Sequence, residues 1–215
     1  AVVKADAYGL GADMIVPELM AQGCKTFFVA NLEEAIALRE KFETPRIAIL
    51  NGFYDSNAAV YAAHNLIPVL GSWIEIEGYA AQAQKEGRVL PAFLHFNTGM
   101  NRLGLAKAEY QKLFETMEIL DSLDIQLIMS HFACADEQGH DLTQTQYERF
   151  CLIADHFPQI SKSLANAPGV FVKDQYHFDL VRPGMALYGL NPTPWTDNPM
   201  AQVVSLKLPV VRTRK

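Results

Sequence analysis

Arg46-Ile47-Ala48-Ile49-Leu50 is a short run that is apolar on both faces, as a parallel strand buried between two layers must be. Upstream the period changes. In Leu32–Phe42, Leu32, Ala35, Ile36, Leu38 and Phe42 share one helical stripe, while Glu33, Glu34, Arg39 and Glu40 lie mostly off it. Asn31 stands at the N-cap position of that helix, with Glu34 three residues on. This pairing of strand and helix recurs along the chain. The strands expected are Ala1–Lys4, Thr26–Ala30, Arg46–Leu50, Ile67–Leu70, Leu90–Phe96, Ile125–Ser130, Ser163–Ala165 and Leu180–Arg182. The helices expected are Ala12–Gln22, Leu32–Phe42, Ser56–His64, Trp73–Glu86, Lys107–Met117, Leu142–His156 and, barely a helix, Tyr188–Gly189. Gly23, Gly87 and Gly104 fall near their ends or at turns. Eight strands alternating with helices predict an α/β fold of the (β/α)8 TIM-barrel type, with a doubly wound open sheet as the runner-up.

Beyond the last strand the pattern stops. Asn191–Gln202, with Asn191-Pro192, Pro194 and Asn198-Pro199, reads as a linker. Val203–Arg214 alternates roughly and is expected to open a C-terminal β-domain. The division is therefore 1–190 for the barrel and 191–215 for the linker and that first strand. The chain starts with Ala1 inside a strand, so it reads as a piece of a longer protein, truncated at both ends.

Composition narrows the function. With 215 residues and 50% hydrophobic content, the chain can bury one substantial core. A net charge of −6 argues against a broad nucleic-acid footprint, but not against one local anion site. No apolar run suggests a membrane span. Cys24, Cys134 and Cys151 lack metal-like spacing and read as reduced thiols of a cytoplasmic protein. The histidines show no ligand-like spacing, so no metal site is expected.

In a barrel, residues just past each strand form the active-site mouth. That rule selects Lys4, His95 to Arg102, His131 to Asp136, Asn166, and Arg182 to Gly184. On position alone Lys4 is an ordinary strand-end lysine. Gly9 and Gly11, just after Tyr8, point to a tight strand-to-helix connection and a Schiff-base role instead. Arg102 follows the fifth strand in a loop suited to a polar pocket. His131 ends the sixth strand and can orient a partner through one ring nitrogen. Asn166-Ala167-Pro168-Gly169 and Arg182-Pro183-Gly184-Met185 close the last two strands, where barrels commonly bind phosphate.

Taken in order, these segments resemble the alanine racemase family of fold-type III pyridoxal 5'-phosphate enzymes. Ala1-Val2-Val3-Lys4-Ala5-Asp6-Ala7-Tyr8-Gly9-Leu10-Gly11 is similar to the family's cofactor-lysine signature. Thr98–Gly104, His131-Phe132-Ala133, Ser163–Asn166 and Val181–Gly189 follow in family order. The resemblance implies that Lys4 holds the cofactor and is the base on one face of the substrate. It places Tyr8, Asn166, Ala167, Gly184 and Met185 at the phosphate. Arg182 would donate to the pyridine nitrogen with His131 supporting it, and Arg102 would lie near the phenolic oxygen and the substrate carboxylate. The small-molecule substrate implied is alanine, the product D-alanine for peptidoglycan, and the full-length protein a homodimer. Leu10, Asn97, Ala167 and His95 depart from the family pattern; at His95 many members have a carbamylated lysine. The second base would be a tyrosine of the partner's C-terminal domain, so this chain alone is expected to be inactive. A non-catalytic pyridoxal-phosphate-binding barrel and a cofactor-free Schiff-base aldolase are the alternatives.

Overall fold

The computed structural model describes residues 1–214. Its centre is a six-stranded parallel sheet in sequence order, curled into a half-barrel: β1 (Thr26–Val29), β2 (Arg46–Ile49), β3 (Ile67–Leu70), β4 (Leu90–His95), β5 (Leu123–Met129) and β6 (Ser161–Ser163). Parallel strands need crossover connections. These are α3 (Leu32–Lys41), α4 (Ala58–Ala63), α5 (Trp73–Glu86), α6 (Lys107–Glu115) and α7 (Asp141–Ala154). α1 (Lys4–Gly9) and α2 (Ala12–Ala21) precede the sheet, and α8 (Ala167–Val172) follows it. α3 starts as its sequence predicts, with Asn31 Oδ1 accepting from Glu34 N–H. No helix among the described residues is long and apolar enough to cross a membrane.

Alternation along the strands divides the core in two. Phe27, Val29, Ile47, Ile49, Leu94 and Ile128 pack in the larger cluster, where the helices contribute Leu38, Ile76, Leu113 and Phe150. Phe28, Ala48, Ile67, Val69, Phe93, Leu127 and Met129 form a second cluster on the other face, joined by Val2. Continuous apolar strands such as β2 are thus buried on both faces.

The two end strands of the sequence reading shrink to single bridges. Val2 pairs with Phe28, and Arg182 with Asn166. Lys4 already belongs to the next turn, and Pro183 has no N–H to continue a ladder. The carbonyl of Pro183 is still used: it accepts from Val2 N–H at 2.9 Å. The buried Tyr188 Oη donates to Val2 O at 2.9 Å and strengthens the junction.

α1 was expected only as a tight connection. Ala5, Asp6, Ala7 and Tyr8 have φ of 51°, 53°, 53° and 58°, a left-handed turn made without glycine. Such a conformation costs roughly 1–2 kcal/mol per residue. It is held by Ala7 N–H to Val3 O (2.9 Å) and Gly11 N–H to Asp6 O (3.0 Å). Asp6 Oδ1 accepts from Ala12 N–H at 2.7 Å, and Ala7 is fully buried.

Three other readings change. α8 was unforeseen; Asn166 caps it, accepting from Gly169 N–H, and a proline sits in its first turn. The Tyr188–Gly189 helix is replaced by the 3-10 turn Met185–Tyr188. Val203–Arg214 forms no strand. A strand exists only through a ladder, and residues 201–214 are exposed and pair with no neighbour among the described residues.

Tyr188→Phe leaves the buried Val2 carbonyl without its donor. The expected cost is about 1–2 kcal/mol, read as a lower urea midpoint at unchanged m-value. An unchanged midpoint would show that this bond contributes nothing to stability.

Candidate active site

Val2, Phe93, Met129 and Leu180 lie in or against the inner apolar layer. The residues two positions further along each segment have passed the end of that layer. Those residues are Lys4, His95, His131 and Arg182. All four line one cavity of about 630 Å³. Tyr8, Arg102, Asn166, Ala167, Gly184 and Met185 line it as well, so the residues to which the resemblance assigns a role share one space.

Arg182 governs the electrostatics. It is 3% exposed, and the described residues give it no carboxylate partner. Nη1 donates to Ser163 Oγ, and Nη2 to Ser130 O. Nη2 also lies 3.4 Å from His131 Nδ1 and from Leu164 O. Nε makes no bond to a protein acceptor among the described residues. Burial pulls the guanidinium pKa down to about 9, which leaves it charged at neutral pH. Burial, then Arg182 and Arg102, press His131 well below its ordinary value. His131 is therefore neutral, and its Nδ1 accepts from Arg182. The same three causes, in the same order, push His95 down to about 3.

A buried glutamine ties the two loops beside these histidines together. Gln146, on the core face of α7, accepts from Ala133 N–H at 2.8 Å and donates to His131 O at 2.8 Å. It also donates to Thr98 Oγ1, whose partner is Ser130 Oγ at 2.7 Å. Asn97 Oδ1 accepts from Gly99 and Asn101 N–H and shapes the turn that presents Arg102. That turn closes at Gly104, φ +101°, where a Cβ would come within 2.8 Å of Asn97 N and Phe96 C. Arg102 itself stands exposed on the rim.

On the opposite wall, Tyr8 Oη sits so close to Gly184 that any Cβ there would collide with it. The Tyr8 ring packs on Tyr188, with centroids 5.0 Å apart. Asn166 is partly committed: Oδ1 caps α8 and Nδ2 donates to Phe132 O at 3.3 Å. Its second amide hydrogen is left over.

Sequence reasoning missed two contributors to the site and one group of side chains beside it. Gln146 carries no motif; its only signal is a polar residue on the buried stripe of Thr143, Phe150, Ile153 and Ala154. Asn191, Pro192 and Pro194 were read as linker, yet they wall the cavity. Cys134, Glu137 and His140 form a group of potential metal ligands within 4.8 Å of one another. His140 Nδ1 accepts from Leu142 N–H, so in the neutral ring the proton sits on Nε2, the nitrogen facing Glu137.

A family model described as "Alanine racemase, N-terminal domain" matches residues 1–192. The alanine racemase of Acidiphilium cryptum is 43% identical over 99% of this chain and 59% of its own length. The catabolic alanine racemase of Mesorhizobium japonicum is 43% identical over 100% of the chain and 56% of its own length. Among solved structures, the Bartonella henselae alanine racemase with covalently bound pyridoxal phosphate superposes with a TM-score of 0.89 at 40% identity. That match covers 94% of this chain and 59% of that one. The biosynthetic enzyme of Pseudomonas aeruginosa gives 0.81 at 35% identity, covering 90% and 53%. The chain thus spans a little over half the length of these relatives.

His95 gives the site a pH signature. A histidine with a folded pKa of about 3 contributes stability that is present above its unfolded pKa near 6.5 and is lost as pH falls toward 3. The loss is on the order of 4 kcal/mol. His95→Gln is expected to flatten the stability profile between pH 6.5 and 4, measured by urea unfolding at a series of pH values. A variant as acid-sensitive as the parent would contradict this.

Proposed function

The chain belongs to the alanine racemase family, matching its N-terminal domain, and on that premise we propose that it is the pyridoxal-phosphate-bearing barrel of an enzyme interconverting L- and D-alanine. The observation that carries this reading is the buried Arg182 guanidinium, which has no carboxylate partner, shares the cavity with Lys4 and keeps one donor, Nε, unused. A pyridine nitrogen is a neutral acceptor that such a donor fits. The phosphate end fits too. Ala167 and Met185 open helical turns, so their N–H groups have no partner inside those turns. With Gly184 N–H, Tyr8 Oη and the second Asn166 amide hydrogen, they would hold a phosphate.

Pyridoxal phosphate, when bound, supplies an electron sink for the pair left when the substrate Cα loses its proton. The residues here set how strong that sink is. Arg182 would keep its proton while donating to the ring nitrogen, which would leave the ring neutral and the sink weak. A weak sink would favour return of a proton to Cα over transamination. His131, neutral, accepts from Nη2 and fixes the guanidinium plane. Lys4 anchors the cofactor, and its Nζ takes or returns the proton on its own face of Cα. Arg102, on the rim, would pair with the substrate carboxylate.

Racemisation needs a second acid–base group on the opposite face. We assign it to the partner subunit of a cytoplasmic homodimer, with D-alanine going to peptidoglycan. The reading includes a closed eight-unit barrel over 1–190, supported by the Val2–Pro183 bond and the bridges beside it. It takes 191–215 as a segment leading out toward a further β-domain.

In the full-length protein loaded with pyridoxal phosphate, Lys4→Ala is expected to abolish the absorbance band near ~420 nm and the borohydride label at this position. Alanine racemisation, followed by a D-amino-acid-oxidase-coupled assay, should fall to background. A band that survives Lys4→Ala would overturn the assignment. A parent protein with the band and no turnover would favour a non-catalytic cofactor-binding barrel.

A further inference from the structure

Glu34 lies outside the cavity, yet its carboxylate bridges two strand ends. Oε2 accepts from Ala30 N–H at 2.8 Å, beside its own helix start. Oε1 reaches across to Ala5 N–H at 3.0 Å, the first residue of the left-handed turn and the residue after Lys4. The other bonds that hold this turn come from within residues 3–12. Glu34 therefore ties the lysine end of a strained turn to the rest of the fold. α3 supplies the rigidity: it is capped by Asn31, and its Leu32, Ala35 and Leu38 are buried.

The same device occurs elsewhere in the chain. Glu75 accepts from Gly71 N–H (2.8 Å) and, across to the preceding loop, from Phe53 N–H (3.0 Å). Glu109 accepts from Ala106 N–H (2.8 Å) and from Trp73 N–H (2.9 Å). In each, the glutamate three residues into a helix joins its own strand-to-helix loop to the loop before it. Only at Glu34 does the bridged loop carry the cavity lysine.

We propose that Glu34 is a positioning residue for Lys4: by clamping Ala5 N–H to the loop after β1, it holds the left-handed turn and aims the Lys4 amine into the cavity. This rests on the reading of Lys4 as the cofactor lysine. The repeated clamp provides its own control, because Glu75 makes the same kind of bridge without touching the lysine turn.

The test uses full-length protein and three variants. Glu34→Gln loses one acceptor and places an amide against an N–H. Glu34→Asp keeps the charge and gives up the reach to Ala5. Glu75→Gln is the matched control. Expected for both Glu34 variants are at least tenfold faster hydrogen exchange at the amides of residues 5–8 and about tenfold weaker pyridoxal-phosphate affinity. Borohydride trapping at Lys4 should slow in step. Glu75→Gln should leave all three near the parent values, even if its melting temperature drops as much. Parent-like exchange and affinity in the Glu34 variants would overturn the proposal, and so would an equal loss in Glu75→Gln. If Glu34→Gln does not fold, Glu34→Asp decides alone. Failure of the underlying reading looks different: the parent protein itself would give no borohydride adduct at Lys4.

Discussion

One hydrogen bond, Val2 N–H to Pro183 O, brings the two halves of the cavity together. Lys4 and Tyr8 come from the first segment of the chain, and Arg182, Gly184 and Met185 from the last described turns of the barrel region. Nothing local places them side by side. The sheet must curl through six parallel strands before its flanking segments meet, and Tyr188 Oη on Val2 O then locks the junction from inside. The Tyr8 contact with Gly184 depends on the same meeting. A change that loosened this junction would alter the spacing between lysine and guanidinium without touching either.

The second organising fact is an imbalance of charge. Lys4, Arg102 and Arg182 share a cavity whose single acidic lining residue, Asp136, is exposed. Burying a cation without a counter-ion is costly, and the protein meets that cost with neutral acceptors: a serine hydroxyl, two carbonyls and a histidine nitrogen. That arrangement keeps both histidines neutral and the cavity strongly positive. An anionic ligand with a neutral ring nitrogen completes it better than any side chain present. His95 adds a neutral, depressed group at the end of β4, where it cannot offer Arg102 a negative partner.

The strand residues were largely legible because apolar runs and parity survive in sequence. Phe93 to His95 and Met129 to His131 are each one inward step, so reading the strands already aimed the chemistry. The end strands were harder. Ala1–Lys4 and Leu180–Arg182 look like strands by composition, but Pro183 and the turn at Lys4 reduce each to one bridge. Gln146 and Glu34 show the other limit. A buried glutamine and a glutamate in a helical first turn look ordinary, and their importance lies in partners 13 to 48 residues away. Val203–Arg214 alternates like a strand, but alternation describes a segment that can pair, not one that has a neighbour.

The left-handed turn at Ala5–Tyr8 carries a consequence in terms of chirality. Four consecutive L-residues sit in the region of backbone space that their mirror images prefer. A D-alanine built into the chain at Ala5 by chemical synthesis would rest there without steric penalty, while the same change in α3 or α5 would break a helix. The stereochemical preference of the backbone is thus locally inverted beside the lysine. The segment that carries the proposed cofactor lysine is itself built against the hand of its own residues.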